Sequence, residues 1–239
     1  MNACYSIEMN YFRVEHLLEL GMPCEIGSEA AHHMSAVRRL REGDMVVVQD
    51  TTSARFEAQI EKAERRSLTL VPRERIPLPA LPNVTLTLLQ ACTSHVTLDL
   101  IFQKATELGV AHIRLFNSER SPHRIEEEVF RRKMDHWNKL LDNACEQSGR
   151  AANPTIDYFD SLVHAVADTP EPLFVLDISG SKPSQSDLTT ASLVVGPEGG
   201  LTDAEKDFLL LRRATPLSLG VNMLRADTAA IVGCGVLIA

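Results

Sequence analysis

Two glycine-bearing turns near the carboxyl terminus hold the residues best suited to chemistry. The first turn is Gly196-Pro197-Glu198-Gly199-Gly200, after a short apolar run, and the second spans residues 219–225 around Gly220. Glycine lacks a Cβ atom, so it accepts a positive φ and lets the main chain approach a ligand closely. The carboxylate of Glu198 and the guanidinium of Arg225 lie beside these turns. The pattern therefore predicts a cofactor pocket.

The first turn does not match the common nucleotide-binding patterns. It is not G-x-G-x-x-G, and it lacks the Lys-Ser/Thr ending of a phosphate-binding P-loop. The incomplete glycine fingerprint disfavours a dinucleotide-binding oxidoreductase, while an ordinary strand-to-helix turn stays open as an alternative. In open α/β sheets, however, ligands collect in the crevice at the carboxyl ends of strands. Two such turns are able to line one crevice.

The elements that must position these turns alternate between apolar runs and helical patterns. Alternation of this kind indicates an α/β fold with a mostly parallel sheet covered by helices. The predicted strands are 84–90, 112–116, 173–178, 193–195 and 216–219. The predicted helices are 99–108, 125–147 and 202–213, the last opened by a capping box at Thr202, and Asp227 or Thr228 is expected to cap a final helix.

The first part of the chain has a different pattern. A helix is predicted over residues 28–40 with Ser28 as its cap, and short strands are predicted at 45–49, 55–60 and 67–71. These strands are separated by turn signals, which indicates a small antiparallel β domain. Four prolines between residues 72 and 82 then predict a stiff linker. We therefore expect a β domain over 1–72, a linker over 73–83 and an α/β domain over 84–239.

The composition is that of an acidic globular chain of 239 residues, with a formal net charge of −8 and 44% hydrophobic residues. An extended, non-specific nucleic-acid surface gains its affinity by neutralising phosphates, so any RNA contact is expected to be local. The five cysteines include no C-x-x-C pair and the histidines show no ligand spacing, which argues against a disulfide framework and a metal site. Without a signal peptide or a long apolar run, we expect a cytoplasmic protein and no membrane contact.

Five separate motifs carry a family resemblance. They are residues 103–110 (QKATELGV), 118–121 (SERS), 144–150 (ACEQSGR), 196–200 (GPEGG) and 219–229, where Leu219-Gly220, Met223-Leu224-Arg225 and Thr228-Ala229 match. Together they resemble the bacterial ribosomal RNA small subunit methyltransferase E family, which methylates N3 of a uridine in 16S ribosomal RNA. Because the motifs run in order over most of the chain, the set is far more specific than any single motif.

The resemblance implies a fold and a set of partners. The fold is a SPOUT-superfamily α/β domain with a C-terminal trefoil knot, preceded by a small PUA-like β-barrel domain that helps to bind RNA. The implied methyl donor is S-adenosyl-L-methionine, and the implied partners are ribosomal RNA or the small ribosomal subunit and a second copy of the chain in a homodimer. Knots are nearly absent from folds in general, so this feature rests on the resemblance alone. No metal is expected, because the sulfonium already carries a good leaving group.

The same resemblance gives roles to individual residues. Arg225 would stabilise negative charge on the uracil carbonyls as N3 loses its proton, with a salt bridge to Asp227 as the alternative. Asp227 is the second catalytic candidate; it and Glu198 are candidates for the general base, and water is a third. Cofactor contacts are implied for Leu176, Asp177, Gly196, Pro197, Glu198, Gly199, Gly200, Leu219, Gly220, Met223 and Leu224. RNA contacts are expected from Arg13, Arg39, Arg120 and Arg150.

The leucines and the methionine of that set are expected to form a flat apolar slot for adenine, with core packing as the alternative. Three places depart from the family pattern: Asn222 stands where the family has Arg, Asp227 where it has Glu, and the segment 93–97 lacks the family's cations at Ser94 and Thr97. Two other functions therefore stay open. One is a SPOUT methyltransferase for another ribosomal or transfer RNA position, and the other is a non-catalytic RNA-binding or ribosome-assembly protein.

Overall fold

The chain folds into two compact units, Met1–Ala80 and Leu81–Ala239. The computed structural model describes residues 10–27, 31–32, 34, 40–64, 67–182 and 188–238. Each unit has its own hydrophobic core. The helix predicted over residues 28–40 lies largely outside the described residues. No helix in the described part of the chain is both long and apolar enough to cross a membrane.

The N-terminal unit is built on a five-stranded sheet in the order β1-β3-β4-β5-β2. Neighbouring strands are antiparallel, except that β1 runs parallel to β3. The three predicted strands correspond to β3, β4 and β5, whereas the three-residue strands β1 and β2 are too short to give a periodic signal. The strands are β1 (Tyr11–Arg13), β2 (Cys24–Ile26), β3 (Met45–Gln49), β4 (Arg55–Ala63) and β5 (Leu68–Ile76).

The start of the predicted linker is wrong. β5 continues through Pro72 to Ile76, so the first residues of the stretch 73–83 are strand. Beyond Leu70, β5 pairs with β4 alone, and the register of that pairing shifts at Pro72. Proline is tolerated at such edge positions and bulges because its missing N–H is not needed there.

The C-terminal unit contains a six-stranded sheet in which every neighbouring pair is parallel. The strand order is β11-β9-β10-β6-β7-β8. The alternating pattern predicted this architecture but not β8, a short edge strand with only one buried residue. The strands are β6 (Thr85–Ala91), β7 (His112–Phe116), β8 (Thr155–Phe159), β9 (Leu173–Ser181), β10 (Thr190–Val195) and β11 (Thr215–Leu217).

The helices of this unit begin at recognisable caps. Ser94 caps the first helix, which therefore starts four residues earlier than predicted. The predicted capping box of Thr202 and Glu205 is confirmed. The last helix begins at Ala226, so Asp227 lies in its first turn and the prediction that Asp227 or Thr228 caps it is wrong. The described helices are α1 (His95–Leu108), α2 (Glu127–Ser148), the unpredicted α3 (Leu162–Val166), α4 (Asp203–Leu211) and α5 (Ala226–Ile238).

Both faces of the parallel sheet are buried. One cluster includes Leu88 of β6, Ile101 of α1 and Trp137 of α2, and a second includes Leu89 of β6 and Leu209 of α4. Side chains alternate between the faces of a strand, so neighbouring residues of β6 enter opposite clusters. With both faces covered by helices, the strand ends are where polar groups meet solvent.

Candidate active site

The two glycine turns leave the sheet at the same edge. β10 and β11 both pair with β9, and Val175 of β9 is in register with Val194 on one side and Pro216 on the other. Because these pairs are parallel, β10 and β11 end two strand spacings apart, about 10 Å, and the two turns begin there. This is the edge at which open α/β sheets bind ligands.

The end of β9 lies between the two turns. Its register with β10 ends at Val175, and its pairing with β11 breaks there and resumes at Ser181, opposite Leu217. The backbone N–H of Ser218 then donates to the Ser181 carbonyl at 2.8 Å. The backbone of residues 176–180 therefore has no register partner in the described pairing with β10 or β11, and we refer to this stretch, between the strands that lead into the turns, as the wall.

The first turn is held by the neighbouring central strand. The Thr93 hydroxyl, fully buried after the end of β6, donates to Glu198 Oε1 at 2.7 Å. The chain then reverses through Gly200, which has a φ of +69° that disfavours any residue with a Cβ atom. Glu198 itself is exposed, so one end of its carboxylate is fixed while the residue reaches solvent.

A third segment packs on this turn. A Cβ atom placed on Gly199 would lie 3.4 Å from both the Cβ and the carbonyl oxygen of Arg120, and Arg120 Nη1 donates to the Leu201 carbonyl at 3.4 Å. Glu205 of α4 binds the same segment, since its carboxylate accepts from the Ser118 hydroxyl and the Glu119 N–H. The structure thus brings Arg120 to the first turn.

Two predicted cofactor residues on β9 have structural contacts. The Asp177 carboxylate accepts from the Ser179 hydroxyl and N–H at 2.7 and 2.9 Å and pairs with Lys206 of α4 at 3.0 Å. These hydrogen bonds, those from Ser179 first, lower the pKa of Asp177 to about 2. The Leu176 side chain packs on the core beside Gly233 of α5, so core packing accounts for it.

The second turn is more open. The Ser218 hydroxyl donates to the Gly220 carbonyl at 3.2 Å and accepts from the Gly220 N–H at 3.4 Å, and Gly220 has a φ of +142°. Leu219 packs against the core, whereas Met223 is 85% exposed. Of the four residues expected to form an apolar slot, Leu176 and Leu219 thus pack on the core and Met223 extends into solvent.

The two predicted catalytic residues are close together. Arg225 Nε lies 4.0 Å from Asp227 Oδ1, and the Arg225 side chain is 84% exposed. The same Asp227 oxygen accepts from the Thr228 N–H at 2.7 Å. The alternative of a salt bridge at the helix entry is thus present as a long contact, which leaves the guanidinium available to another partner.

The other predicted RNA contacts lie elsewhere. Arg150 follows α2, at the amino-terminal edge of the sheet, and its Nη1 donates to the Thr106 carbonyl at 3.1 Å. Arg13 belongs to the N-terminal unit, where its Nε approaches the Tyr11 hydroxyl at 3.5 Å. Arg39 lies outside the described residues. The structure does not bring Arg150 to the two turns, because a parallel sheet places helix C-termini and strand C-termini at opposite edges.

The segment 93–97, which lacks the family's cations, contains the N-cap of α1. The Ser94 hydroxyl accepts from the Thr97 N–H at 3.3 Å and contacts the Thr97 hydroxyl at 2.8 Å. These bonds form the N-cap of α1. At these two positions the chain thus has a helix cap adjoining Thr93 and the first turn.

Sequence reasoning missed three residues that join the loops: Thr93, Glu205 and Lys206. The Thr93–Glu198 bond joins residues 105 positions apart, and the Ser118–Glu205 bond joins residues 87 positions apart. The capping box pointed to Glu205 as a helix residue but gave no sign of its second set of partners. No local spacing rule reports such contacts, because they depend on strand order.

Family models match both units of the chain. The model of an RNA methyltransferase domain matches residues 80–238, and the model of an RNA methyltransferase PUA domain matches residues 26–73. The PUA-like prediction for the N-terminal domain is thereby confirmed.

Individual proteins agree with these models. The chain is 32% identical to the "Ribosomal RNA small subunit methyltransferase E" of Rickettsia conorii, over 84% of this chain and 82% of that one. It is 28% identical to the protein of the same name from Bacillus subtilis, over 85% of each chain. A Legionella pneumophila protein assigned as a methyltransferase, solved with bound SAM, superposes with a TM-score of 0.81 at 27% identity, covering 96% of this chain and 97% of that one. The chain belongs to this family of RNA methyltransferases.

Proposed function

We propose that this protein transfers the methyl group of S-adenosyl-L-methionine to N3 of a uridine in the 16S ribosomal RNA of the small subunit. The observation that carries the proposal is the convergence of both glycine turns on one sheet edge, on either side of the β9 end. The names of the Rickettsia and Bacillus relatives support ribosomal RNA as the substrate, and the SAM-bound Legionella structure supports the donor.

The donor fits the space between the turns. The strands that lead into the two turns are about 10 Å apart with β9 between them, and in this proposal the nucleoside lies over the end of β9, where backbone N–H and C=O groups of residues 176–178 face its polar edge. In this proposal residues 196–200 and 219–224 contact the donor, and β9 contributes backbone at Leu176 and Asp177. Asp177 stabilises this wall through its bonds to Ser179 and Lys206.

When bound, the donor supplies an electrophilic methyl group on a sulfonium. A bond forms between uridine N3 and that methyl carbon while the sulfur–methyl bond breaks, and the N3 proton passes to solvent. Loss of the N3 proton leaves negative charge on the uracil carbonyls until the new N–C bond is complete, and the exposed guanidinium of Arg225 would stabilise it at that stage. The Asp227 carboxylate, with Oδ1 4.0 Å from Arg225 Nε, lies beside that guanidinium. Most of the catalysis is therefore positioning and charge stabilisation.

RNA is bound locally in this proposal. Arg120 is the contact from the C-terminal unit, because it lies against the donor turn. Arg13 and Arg39 are the contacts from the PUA-like unit. Arg150 has a structural role instead, since its guanidinium binds the last turn of α1.

The finer features of the family belong to the same proposal. We assign to the C-terminal unit a SPOUT-type trefoil knot, supported by the match of residues 80–238 to the RNA methyltransferase domain model. A homodimer is supported by the exposed apolar side chains of Val221 and Met223 beside the second turn. From the proposed ribosomal substrate we infer that the enzyme acts in the cytoplasm.

The decisive experiment supplies purified protein with isotopically labelled donor and either assembled small ribosomal subunits or 16S RNA transcribed in vitro. Digestion and mass spectrometry of the nucleosides are expected to show labelled 3-methyluridine, and site mapping then identifies the nucleotide. Label in another nucleoside, or in transfer RNA alone, would contradict the proposal and show that the protein is a methyltransferase for another RNA position. Binding of RNA with neither label transfer nor donor binding would support the non-catalytic alternative, which the loss of cations at Ser94, Thr97 and Asn222 motivates.

A further inference from the structure

One buried carboxylate connects the donor turn with the segment that carries Arg120. Glu205 is 8% exposed, and its Oε2 accepts from the Thr202 N–H at 2.8 Å, the Thr202 hydroxyl at 3.2 Å and the Ser118 hydroxyl at 3.0 Å. Its Oε1 accepts from the Glu119 N–H at 3.1 Å. Four donors from two chain segments therefore converge on a single side chain.

A helix cap requires only half of these bonds. The capping box is complete with Thr202 and Glu205, whose backbone and side-chain groups satisfy each other. The bonds to Ser118 and Glu119 add nothing to that cap. Instead they fix the 118–121 turn, which has its own bond from the Ser121 N–H to the Ser118 carbonyl at 3.1 Å. Hydrogen bonds to a buried ionised group are among the strongest in proteins.

The turn fixed in this way sets the position of Arg120. The backbone carbonyl of Arg120 lies against Gly199, and its guanidinium reaches the Leu201 carbonyl. A shift of the 118–121 turn would thus move Arg120 relative to the donor turn. No other acidic residue in the first turn of α4 makes this connection in the described structure, since Asp203 is exposed.

We propose that Glu205 is a positioning residue of the methyl-transfer site: it fixes the 118–121 turn against residues 199–201, so that Arg120 is presented to the RNA beside the donor. The inference rests on the proposed function for the role of Arg120, but the positional link itself is independent of it. Glu205 acts through Arg120 and touches neither donor nor RNA.

The variant Glu205→Gln separates the two sets of bonds. The amide oxygen of the glutamine is able to accept the three hydrogen bonds that Oε2 now accepts, which preserves the cap. Its NH2 group then faces the Glu119 N–H, and because both groups are donors this hydrogen bond is lost. Asp203→Asn is the matched control, because it removes the same charge from the same helix turn without touching the 118–121 segment. Thr202→Val is the reciprocal variant, since it loses the hydroxyl side of the cap and keeps the bonds to Ser118 and Glu119.

The first readout is amide hydrogen exchange of the free protein. In Glu205→Gln we expect exchange of residues 118–121 to rise about tenfold, the scale of one lost hydrogen bond, with α4 unchanged. Thr202→Val is expected to accelerate exchange at the start of α4 and leave 118–121 protected. Unchanged exchange of 118–121 in Glu205→Gln would overturn the positional link, whether or not the protein methylates RNA.

The second readout is steady-state kinetics with RNA and donor varied separately. For Glu205→Gln we expect the KM for RNA to rise about tenfold, with kcat and the Kd of the donor changed less than about threefold, because one contact outside the reacting atoms is displaced. Asp203→Asn should match wild type. Equal RNA KM values in Glu205→Gln and Asp203→Asn would overturn the role, whereas absence of turnover in the wild type would overturn the proposed function itself.

Discussion

The two turns at the carboxyl edge of the sheet are held in different ways. The first turn is fixed by side chains from distant parts of the chain, Thr93 after β6 and Arg120 after β7, and it runs into the capping box of α4. The second turn is held by Ser218 next to it and leaves Val221 and Met223 91% and 85% exposed. One side of the crevice is therefore preformed and the other is not.

This difference indicates a division of labour. A preformed turn presents its backbone groups to a ligand at little entropic cost, whereas an open turn must be ordered on binding. We therefore expect the first turn to set the affinity for the donor. The second turn carries Arg225 and is expected to act mainly on turnover, once donor and RNA are both present.

The largest expected effect is a loss of turnover from a change in the second, open turn. Arg225→Ala should lower kcat about 100-fold or more, the usual loss when a group that stabilises developing charge is removed. Donor affinity should change less than about threefold, because the first turn is untouched. Arg212→Ala, at the end of α4, removes another exposed arginine as a control. Turnover near the wild-type rate in the Arg225 variant would show that this side takes no part in the chemistry.

A change at the first, preformed turn should instead alter the affinity for the donor. Thr93→Val removes the hydroxyl that fixes Glu198 at nearly constant volume, and we expect the donor Kd to rise about tenfold, as for a lost hydrogen bond to a charged group. Thr87→Val, within β6, is the matched control, because the buried Thr87 hydroxyl has no hydrogen-bond partner among the described residues. Calorimetry measures both. A donor Kd that is the same in the two variants would remove the distinction between the turns.

The wall between the turns should give a pH-dependent effect on stability. Asp177 has a pKa lowered to about 2, so its contribution is fully present above its unfolded pKa near 4 and is lost as the pH falls toward 2. Asp177→Asn should therefore destabilise the protein by about 1 kcal/mol at pH 7, a figure reduced for solvent screening. The gap between wild type and variant should close between pH 4 and pH 2 in urea unfolding. A gap independent of pH would mean that the carboxylate charge does not hold this wall.

The smallest expected effect is the dependence of RNA affinity on salt concentration. With a net charge of −8 and three proposed RNA-contacting arginines, the slope of log K against log salt should be about −2, at ~0.7 per neutralised phosphate of a single strand. Filter binding across a salt series measures it. A slope of about −6 or steeper would require a basic surface that the described contacts do not provide.

The sequence predicted the order and type of the elements more completely than it predicted the contacts between them. Alternating apolar and helical segments predicted the parallel sheet, and the spacing of Thr202 and Glu205 predicted the cap, because both signals are local. The PUA-like domain, the family and the donor were inferred from resemblance and agree with the comparisons. The individual site residues stay predictions.

The contacts that the sequence did not predict depend on the order of the strands in the sheet. Thr93 reaches Glu198 only because β6 lies next to β10, and Arg150 is remote from the turns only because α2 ends at the opposite edge. The exposure of Met223 and the packing of Leu176 on α5 also depend on tertiary structure, since both residues have the same apolar character in the sequence. Composition and periodicity carry no information on these neighbours.

A crystal structure with S-adenosylhomocysteine, the product of methyl transfer, is the decisive test of the proposed donor site. We expect the product between residues 196–200 and 219–225, above the end of β9, with the first turn unchanged and the second ordered around the ligand. Product bound at any other place, or a crevice that remains closed by side chains at saturating ligand, would contradict it.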